Sequence, residues 1–284
     1  MIRLPTSGNL SNSQFLSFVR AFEAALALLY SEFMHARCKK TFSALLTVSF
    51  LSTLPHSYAS QTNTLTVFAA SSLADSLTYL GQAFEKKYSG TTVTFSFLAS
   101  PTLARQINAG APADVFVSAS KKDMQRTSVR VHAYENFVSN RIVLAVPVKN
   151  PFKIERIKDL NKPGLKWIQC AHELPCGSAA DAALASDGRV ISKPVSLEPK
   201  ASGVIAKLMQ DEVDAALVYH TDVVKNHKAL KEIVFSDRQA STTNYSIAII
   251  SDGKQKVLAR TFVDFIKSAQ AVSYLRRSGF GIIS

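Results

Sequence analysis

Short segments rich in small residues stand at four points where the sequence predicts that a helix begins. They occupy residues 69–72, 100–103, 175–178 and 200–203. The start of a helix offers backbone N–H groups without intrahelical partners and a partial positive charge, so it can bind an anion. Several such starts that face one cleft could hold a dianion without any lysine or arginine.

The serines in these segments have a second interpretation, in which they only cap their own helices. Ser72 with Asp75 fits a capping box, and Ser100 fits an N-cap with Pro101 at the first helical position. The two roles compete, because a hydroxyl that caps a helix points at that helix. The local sequence leaves both open.

The sequence motifs of common enzymes and metal sites are absent. There is no G-x-S-x-G, H-E-x-x-H, Walker or G-x-G-x-x-G motif, and no evident nucleophile–base pair. Four histidines follow the N-terminal region, and no two of them have a convincing metal-site spacing; they are His132, His172, His220 and His227. We therefore expect no catalytic residues, and the chain is predicted not to be an enzyme.

The elements that must position these helix starts alternate between strand and helix patterns, which favours an α/β fold with parallel sheets. Strands are predicted at residues 65–70, 92–98, 114–118, 142–148, 165–169, 190–195, 215–219 and 245–250. Helices are predicted at residues 73–88, 101–109, 179–185, 203–210, 257–268 and 269–277. We interpret this order as two lobes, with lobe 1 at residues 60–143 and 245–284 and lobe 2 at 144–244. The last helices should pack back on lobe 1.

The region before the first strand has the order of a secretory signal peptide. Residues 34–59 comprise a basic stretch, a short apolar stretch and the small-x-small site Ser57-Tyr58-Ala59, so cleavage is expected after Ala59. Residues 1–33 are interpreted as a mis-called N-terminal extension, from a start codon set too early. The alternative is a real cytoplasmic extension with an amphipathic helix around residues 15–29.

Composition and cysteine usage fit an exported globular protein. The 284 residues are 47% hydrophobic and 19% charged, which excludes a disordered chain. The net charge of +12 is scattered along the chain, so nucleic acid is not an expected partner. Cys38 would leave with the signal peptide, and the remaining Cys170 and Cys176 are candidates for a disulfide in an oxidising compartment. The alternative is a pair of free buried thiols.

At the helix starts, the sequence resembles the periplasmic molybdate-binding proteins of ABC transporters, from about residue 65 to 280. The segments that carry the resemblance are VFAASSL (67–73), SPTLARQI (100–107), GAPADVF (110–116), PCG (175–177), LVY (217–219) and YL to GF (274–280). The resemblance implies a two-lobed periplasmic-binding-protein fold of type II. In that fold each lobe is a mixed, mostly parallel sheet flanked by helices.

The resemblance also implies a set of anion ligands. Two are serine hydroxyls, two are backbone N–H groups and one is a tyrosine hydroxyl, matched here by Ser72, Ser100, Cys176, Ala201 and Tyr219, with Ser71 as a weaker candidate. Family members often have a second serine where this chain has Pro101, which removes one hydroxyl and one N–H. The side chain of Ala201 is also smaller than in some relatives.

The function implied by the resemblance is binding of molybdate, and also tungstate, in the cleft between the lobes and delivery to the membrane permease of an ABC transporter. The expected protein is a soluble periplasmic monomer with an oxyanion ligand, no cofactor and no other metal. A site built only of donors disfavours phosphate, which keeps a proton near neutral pH, but it does not disfavour sulfate. The alternatives are therefore a binding protein for sulfate or another tetrahedral oxyanion, and a soluble oxyanion sensor.

Overall fold

The computed structural model describes residues 63–127, 130–131, 133–187 and 192–283. The predicted extension at residues 1–33, the signal peptide at 34–59 with its cleavage site, and His132 lie outside the described residues. Among the described helices, none combines the length and the apolar character that a membrane crossing requires.

Ten strands and eight α-helices alternate along the described residues. The strands are β1 (Asn63–Ala70), β2 (Thr91–Leu98), β3 (Val115–Ser118), β4 (Tyr134–Pro147), β5 (Trp167–Cys170), β6 (Ser196–Glu198), β7 (Ala215–Tyr219), β8 (Leu230–Ile233), β9 (Thr242–Ile249) and β10 (Gly281–Ile282). The helices are α1 (Ala74–Lys87), α2 (Ser100–Asn108), α3 (Lys121–Gln125), α4 (Pro175–Ser186), α5 (Ala201–Met209), α6 (His220–Lys225), α7 (Lys256–Ile266) and α8 (Ala269–Arg277). Single 3-10 segments lie at Ser71–Leu73 and Ile157–Asn161.

The first lobe, as we call it, is built on the strand order β2-β1-β3-β9. β1 pairs in parallel with β2 and β3, and β9 joins β3 in antiparallel orientation. Helix α1 buries Leu77, Leu80 and Phe84 because these positions recur on one face. Residues of α7 and α8 belong to the same buried cluster as β1. The C-terminal helices thus pack into the core that contains β1.

The second lobe, as we call it, continues the sheet through β4, β7, β5 and β6, with β8 beside β4. β5 pairs in parallel with β6 and β7, whereas β7 and β8 are antiparallel to β4. The five residues of β7 are all buried. Such a continuous apolar run is typical of a strand covered on both faces.

Strand β4 belongs to both lobes. Its first half pairs with β9 as far as Arg141, and from Ile142 onward it pairs with β7. The crossing between the lobes is thus a continuous strand that changes partners. The two-lobed α/β organisation agrees with the sequence prediction, and the lobe boundaries at residues 143–144 and 244–245 stay a prediction.

Two strand predictions need correction. Of the strand predicted at residues 190–195, the described part, 192–195, is not in a strand, and β6 begins only at Ser196. Pro194 has no N–H group to donate to a neighbouring strand, so the extended pairing starts after it. Strand β4 also begins earlier than the predicted residue 142, and its ladder with β9 contains an irregularity between Asn136 and Val138. That irregularity breaks the period-2 pattern by which a strand is recognised.

A disulfide joins Cys170, the last residue of β5, to Cys176 in the first turn of α4, with an S–S distance of 2.01 Å. Replacing both cysteines by serine should lower the free energy of unfolding by about 2 kcal/mol, because the closed loop is short. Urea unfolding of the variant and of the wild-type protein, each with and without reductant, measures this effect. Wild-type protein that unfolds at the same urea concentration in both conditions, or alkylation of both thiols without reduction, would contradict it.

Candidate functional site

A small cavity lies between the two lobes, with a volume of about 20 Å3. This is somewhat more than one water molecule needs, so a fitting occupant has few heavy atoms. The cavity is lined by all six residues that the sequence singled out, Ser71, Ser72, Ser100, Cys176, Ala201 and Tyr219, together with Ala70, Leu98, Ala99, Ala119, Leu174, Pro175 and Lys200.

The lining residues come together because each follows a strand of the sheet. Ser71 and Ser72 follow β1, Ser100 starts α2 after β2, and Tyr219 ends β7. Cys176 and Ala201 lie in the first turns of α4 and α5, which follow β5 and β6. The carboxyl ends of strands in such sheets are where ligands bind. Both lobes contribute donors to the same cavity.

Ser100 does not cap helix α2. The helix begins at Ser100 itself, the N-cap is Ala99, and the cap makes no side-chain hydrogen bond. Instead, Ser100 Oγ accepts a hydrogen bond from the backbone N–H of Ala119, at 3.0 Å, in a buried position. The capping interpretation is therefore wrong for this serine. Because its oxygen already holds one donor, its own proton is free for an acceptor in the cavity.

Ser72 does not form the capping box with Asp75. Helix α1 begins at Ala74, its N-cap is Leu73, and no side chain caps it. Ser72 lies in the preceding 3-10 turn, and its Oγ is 2.8 Å from the hydroxyl of Tyr245 on β9. The capping interpretation is wrong for Ser72 as well, because its hydroxyl contacts Tyr245 and not the backbone of helix α1.

Tyr219 carries a buried hydroxyl that makes no hydrogen bond of normal geometry within the described residues, although the side chains of Thr243 and Tyr245 lie near it and affect its pKa. The residue is 1% exposed. Burial raises the pKa of its phenol to about 12, so the group stays a neutral O–H donor at physiological pH. A buried donor without a partner is costly, about 1–3 kcal/mol. A ligand that accepts this proton would remove that cost.

The remaining donors are backbone N–H groups. Pro175 occupies the first position of α4, so Cys176 supplies an early free N–H of that helix, and Ala201 does the same for α5. The disulfide ties Cys176 to the end of β5. This bond restricts how far the start of α4 can move from the cavity.

The lining carries no acidic residue, and its charged member, Lys200, is exposed. Among the described residues, no group of three or more His, Cys, Asp or Glu side chains could hold a metal ion. The cavity therefore presents hydroxyl and backbone N–H donors from neutral groups. A small anion without a proton, which only accepts hydrogen bonds, matches this arrangement.

A larger open cleft of about 1110 Å3 adjoins the small cavity and shares Ala99, Ala119, Leu174 and Pro175 with it. On the first-lobe side the cleft is lined by Arg105, Lys121, Lys122 and Arg126, together with Asp123, whose carboxylate pairs with Arg126. These residues do not line the small cavity, and their excess of positive charge would favour the approach of an anion to the cleft.

Asp222 fixes the backbone beside Tyr219. Its carboxylate accepts a hydrogen bond from Tyr219 N–H at 3.2 Å. Burial raises the pKa of Asp222 to about 7, and the negative charge of Asp75 adds to the shift. The folded protein binds the Asp222 proton more tightly than the unfolded chain does. The protonated carboxyl therefore contributes its full stabilisation of the fold below about pH 4, and this contribution is lost as the pH rises through 7.

Asp222→Asn should remove this pH dependence, because the amide oxygen still accepts from Tyr219 N–H and cannot ionise. We expect the free energy of unfolding of the variant, relative to wild type, to rise by roughly 2 kcal/mol between pH 4 and pH 8, a value reduced for partial exposure. Urea unfolding at several pH values measures the difference between the two proteins. A difference that stays constant from pH 4 to 8 would contradict the raised pKa.

Three participants were missed by the sequence analysis. Tyr245 has the local pattern of an ordinary core aromatic on a strand, and the Ala119 N–H is a backbone group, so neither gives a sequence signal. Lys200 belongs to the predicted helix-start segment at residues 200–203 but was not singled out as a site residue. Ala119 and Lys200 line the cavity, whereas Tyr245 contacts the lining residue Ser72.

Known proteins resemble this chain from near the start of β1 to its C-terminal end. The family model of bacterial extracellular solute-binding proteins matches residues 65–281. A molybdate-binding protein of Mycobacterium tuberculosis is 33% identical over 219 residues, which cover 76% of this chain and 84% of that protein.

Two solved structures share the fold. The periplasmic molybdate-binding protein of Azotobacter vinelandii matches with a TM-score of 0.68 at 18% identity, covering 78% of this chain and 100% of that one. The sulfate-binding protein of Mycobacterium tuberculosis matches with a TM-score of 0.65, also at 18% identity, covering 77% and 86%. At this identity they establish the fold alone, and the predicted periplasmic-binding-protein fold of type II is confirmed. With the family match and the 33% identical relative, the chain belongs to the bacterial extracellular solute-binding proteins, and its place among them is beside the periplasmic molybdate-binding proteins.

Proposed function

We propose that this protein binds molybdate, and also tungstate, in the small cavity between its lobes and delivers the anion to the membrane permease of an ABC transporter. The observation that carries the proposal is the hydroxyl of Tyr219, a residue that lines the cavity, because this hydroxyl is buried and makes no hydrogen bond of normal geometry within the described residues. The relationship to molybdate-binding proteins supports the choice of anion.

The donor set favours an unprotonated oxyanion. Ser72, Ser100 and Tyr219 supply hydroxyl protons, and Cys176 and Ala201 supply backbone N–H groups at helix starts. Phosphate near neutral pH still carries a proton and needs an acceptor. No acidic residue lines the cavity, so phosphate would leave its proton without a partner, at a cost of about 1–3 kcal/mol.

The size of the anion distinguishes sulfate from molybdate and tungstate, the unprotonated dianions that the donor set accepts. Sulfate is smaller than molybdate, so donors that are spaced for molybdate would not all reach the oxygens of sulfate, and those left unpaired would weaken its binding. Molybdate and tungstate are nearly the same size and have the same shape, and we expect the cavity to bind both. A cavity that closes more tightly on the anion would select sulfate instead, which is the rival assignment.

Isothermal titration of the exported protein, freed of bound anion, tests the proposal. We expect molybdate and tungstate to bind with one anion per chain, sulfate to bind at least about a hundredfold more weakly, and phosphate to give no heat. Sulfate that binds as tightly as molybdate would make the protein a sulfate carrier. Absence of binding by all four anions would refute the anion site itself.

A transport protein delivers its anion to a permease, whereas a soluble sensor does not, so an uptake experiment distinguishes the two functions. The family of extracellular solute-binding proteins supports export and a role outside the cytoplasm. We expect cells that lack this protein to lose molybdate uptake at low external molybdate and to regain it when the gene is restored. Normal uptake in those cells, with an altered transcriptional response to molybdate, would identify a soluble sensor.

A further inference from the structure

Tyr245 lies where the two lobes meet. It is on β9, opposite Val138 of β4, and is 0% exposed. Its hydroxyl is 2.8 Å from Ser72 Oγ in the first lobe. Its ring centroid is 6.2 Å from that of Tyr219, the unpartnered donor of the second lobe. The edge-on contact with Phe280, at 6.0 Å, fixes the ring from another side.

The Tyr245 hydroxyl also lies near the side chains of Asn140 and Tyr219, and its hydrogen bond with Ser72 has two arrangements. If Ser72 donates to Tyr245, its proton is used inside the protein and only oxygen lone pairs face the cavity. If Tyr245 donates to Ser72, the Ser72 proton is free for an acceptor in the cavity. An acceptor-only anion is compatible with the second arrangement alone.

Ser100, like Ser72, has a hydroxyl oxygen that is hydrogen-bonded inside the protein, but its partner is a different kind of group. Its oxygen accepts from the backbone N–H of Ala119, which has no alternative direction of donation. Its proton is therefore always available to the cavity. For Ser72 the corresponding donor is a side chain that could also accept, so its orientation depends on Tyr245 remaining an O–H group. Burial keeps the Tyr245 pKa well above the usual value of a phenol, which preserves that proton.

We propose that Tyr245 is a positioning residue of the anion site, whose hydroxyl donates to Ser72 Oγ and so directs the Ser72 proton onto the bound oxyanion. The inference rests on the proposed function. Tyr245 does not line the cavity. It acts through Ser72, and its ring packs against Tyr219, so it links a donor of one lobe to a donor of the other.

A double-mutant cycle with molybdate as the probe tests this role. Tyr245→Phe should weaken molybdate binding about three- to tenfold, the effect of one neutral hydrogen bond. In a Ser72→Ala background the same change should alter the affinity less than about twofold, because the residue through which it acts is gone. A merely structural Tyr245 would weaken binding by the same factor in both backgrounds, and that result would overturn the proposal.

The matched control is Tyr274→Phe, which removes a hydroxyl from a first-lobe tyrosine that stacks on Tyr79 and does not line the cavity. It should leave the affinity unchanged. Wild-type protein that fails to bind molybdate refutes the proposed function, whereas binding that Tyr245→Phe does not weaken refutes only this inference.

A second variant covers the case in which Tyr245→Phe does not fold. Site-specific 3-fluorotyrosine at position 245 keeps the ring and the hydroxyl and makes the phenol a stronger donor and a weaker acceptor. We expect molybdate to bind at least as tightly as to the wild-type protein. Binding weakened about threefold or more would mean that Tyr245 accepts from Ser72, and the proposal would be wrong.

Discussion

Tyr219→Phe is expected to weaken molybdate binding about ten- to a hundredfold, because one hydrogen bond to a charged ligand contributes roughly 1.5–3 kcal/mol. The same change should not destabilise the anion-free protein. The hydroxyl is buried without a partner among the described residues, so its removal should raise the free energy of unfolding by about 1 kcal/mol or leave it unchanged. Titration calorimetry and urea unfolding of the anion-free form measure the two effects.

Ser100→Ala is the matched comparison for Tyr219→Phe. It should weaken binding by a similar factor, but it also leaves the buried N–H of Ala119 without its acceptor. The anion-free variant should therefore lose about 1–3 kcal/mol of stability. The two variants should therefore weaken molybdate binding to a similar extent, whereas only Ser100→Ala should lower the free energy of unfolding. Tyr219→Phe with wild-type affinity would mean that the hydroxyl does not contact the anion.

Gly177→Ala is expected to lower the molybdate affinity strongly by displacing the backbone of the site. A Cβ at this position would overlap the carbonyl of Ala171, with 2.6 Å to its carbon and 2.8 Å to the oxygen of Cys170. The start of α4 would have to move away from β5, and the disulfide at Cys176 resists that movement. We expect a loss of about 3 kcal/mol in the free energy of unfolding and a molybdate affinity reduced at least about a hundredfold.

Gly203→Ala is the control for Gly177→Ala. Gly203 is also in the first turn of a helix that contributes to the cavity, but the nearest atom to its Cβ would be 3.4 Å away, on the side chain of Glu198. Alanine should leave affinity unchanged and raise helix stability by up to about 1 kcal/mol. Equal losses of affinity in the two variants would show that the close approach of α4 to Ala171 is not what positions the Cys176 N–H.

Elements with a strong local period could be predicted from the sequence. The apolar spacing of α1 and the continuous apolar run of β7 are visible without any partner. The first half of β4 was missed because it is mostly polar and irregularly paired, and it exists as a strand through its pairing with β9. The short helices α3 and α6 were missed as well, since five or six residues are too few to show a helical period.

The candidate site was predicted residue by residue from the resemblance, and the roles of the serines were not settled by local sequence. Capping is a local interaction, so the sequence favours it wherever a serine precedes a helix. The contacts that replace capping join Ser100 to Ala119 and Ser72 to Tyr245, residues brought near by β3 and β9. These partners depend on the tertiary structure, which a local pattern does not contain.

The first lobe is completed only by the last part of the chain, which returns to it through β9. Strand β3 gains its second neighbour only from β9, and the core around β1 is completed by α7 and α8. The second lobe, in contrast, is formed by an uninterrupted stretch from Ile142 to Ile233. A chain that crosses a membrane N-terminus first would therefore hold β1, β2 and β3 unfinished while the second lobe closes. The first part of the chain to be translocated would then be the last to complete its core, because that core includes the two C-terminal helices.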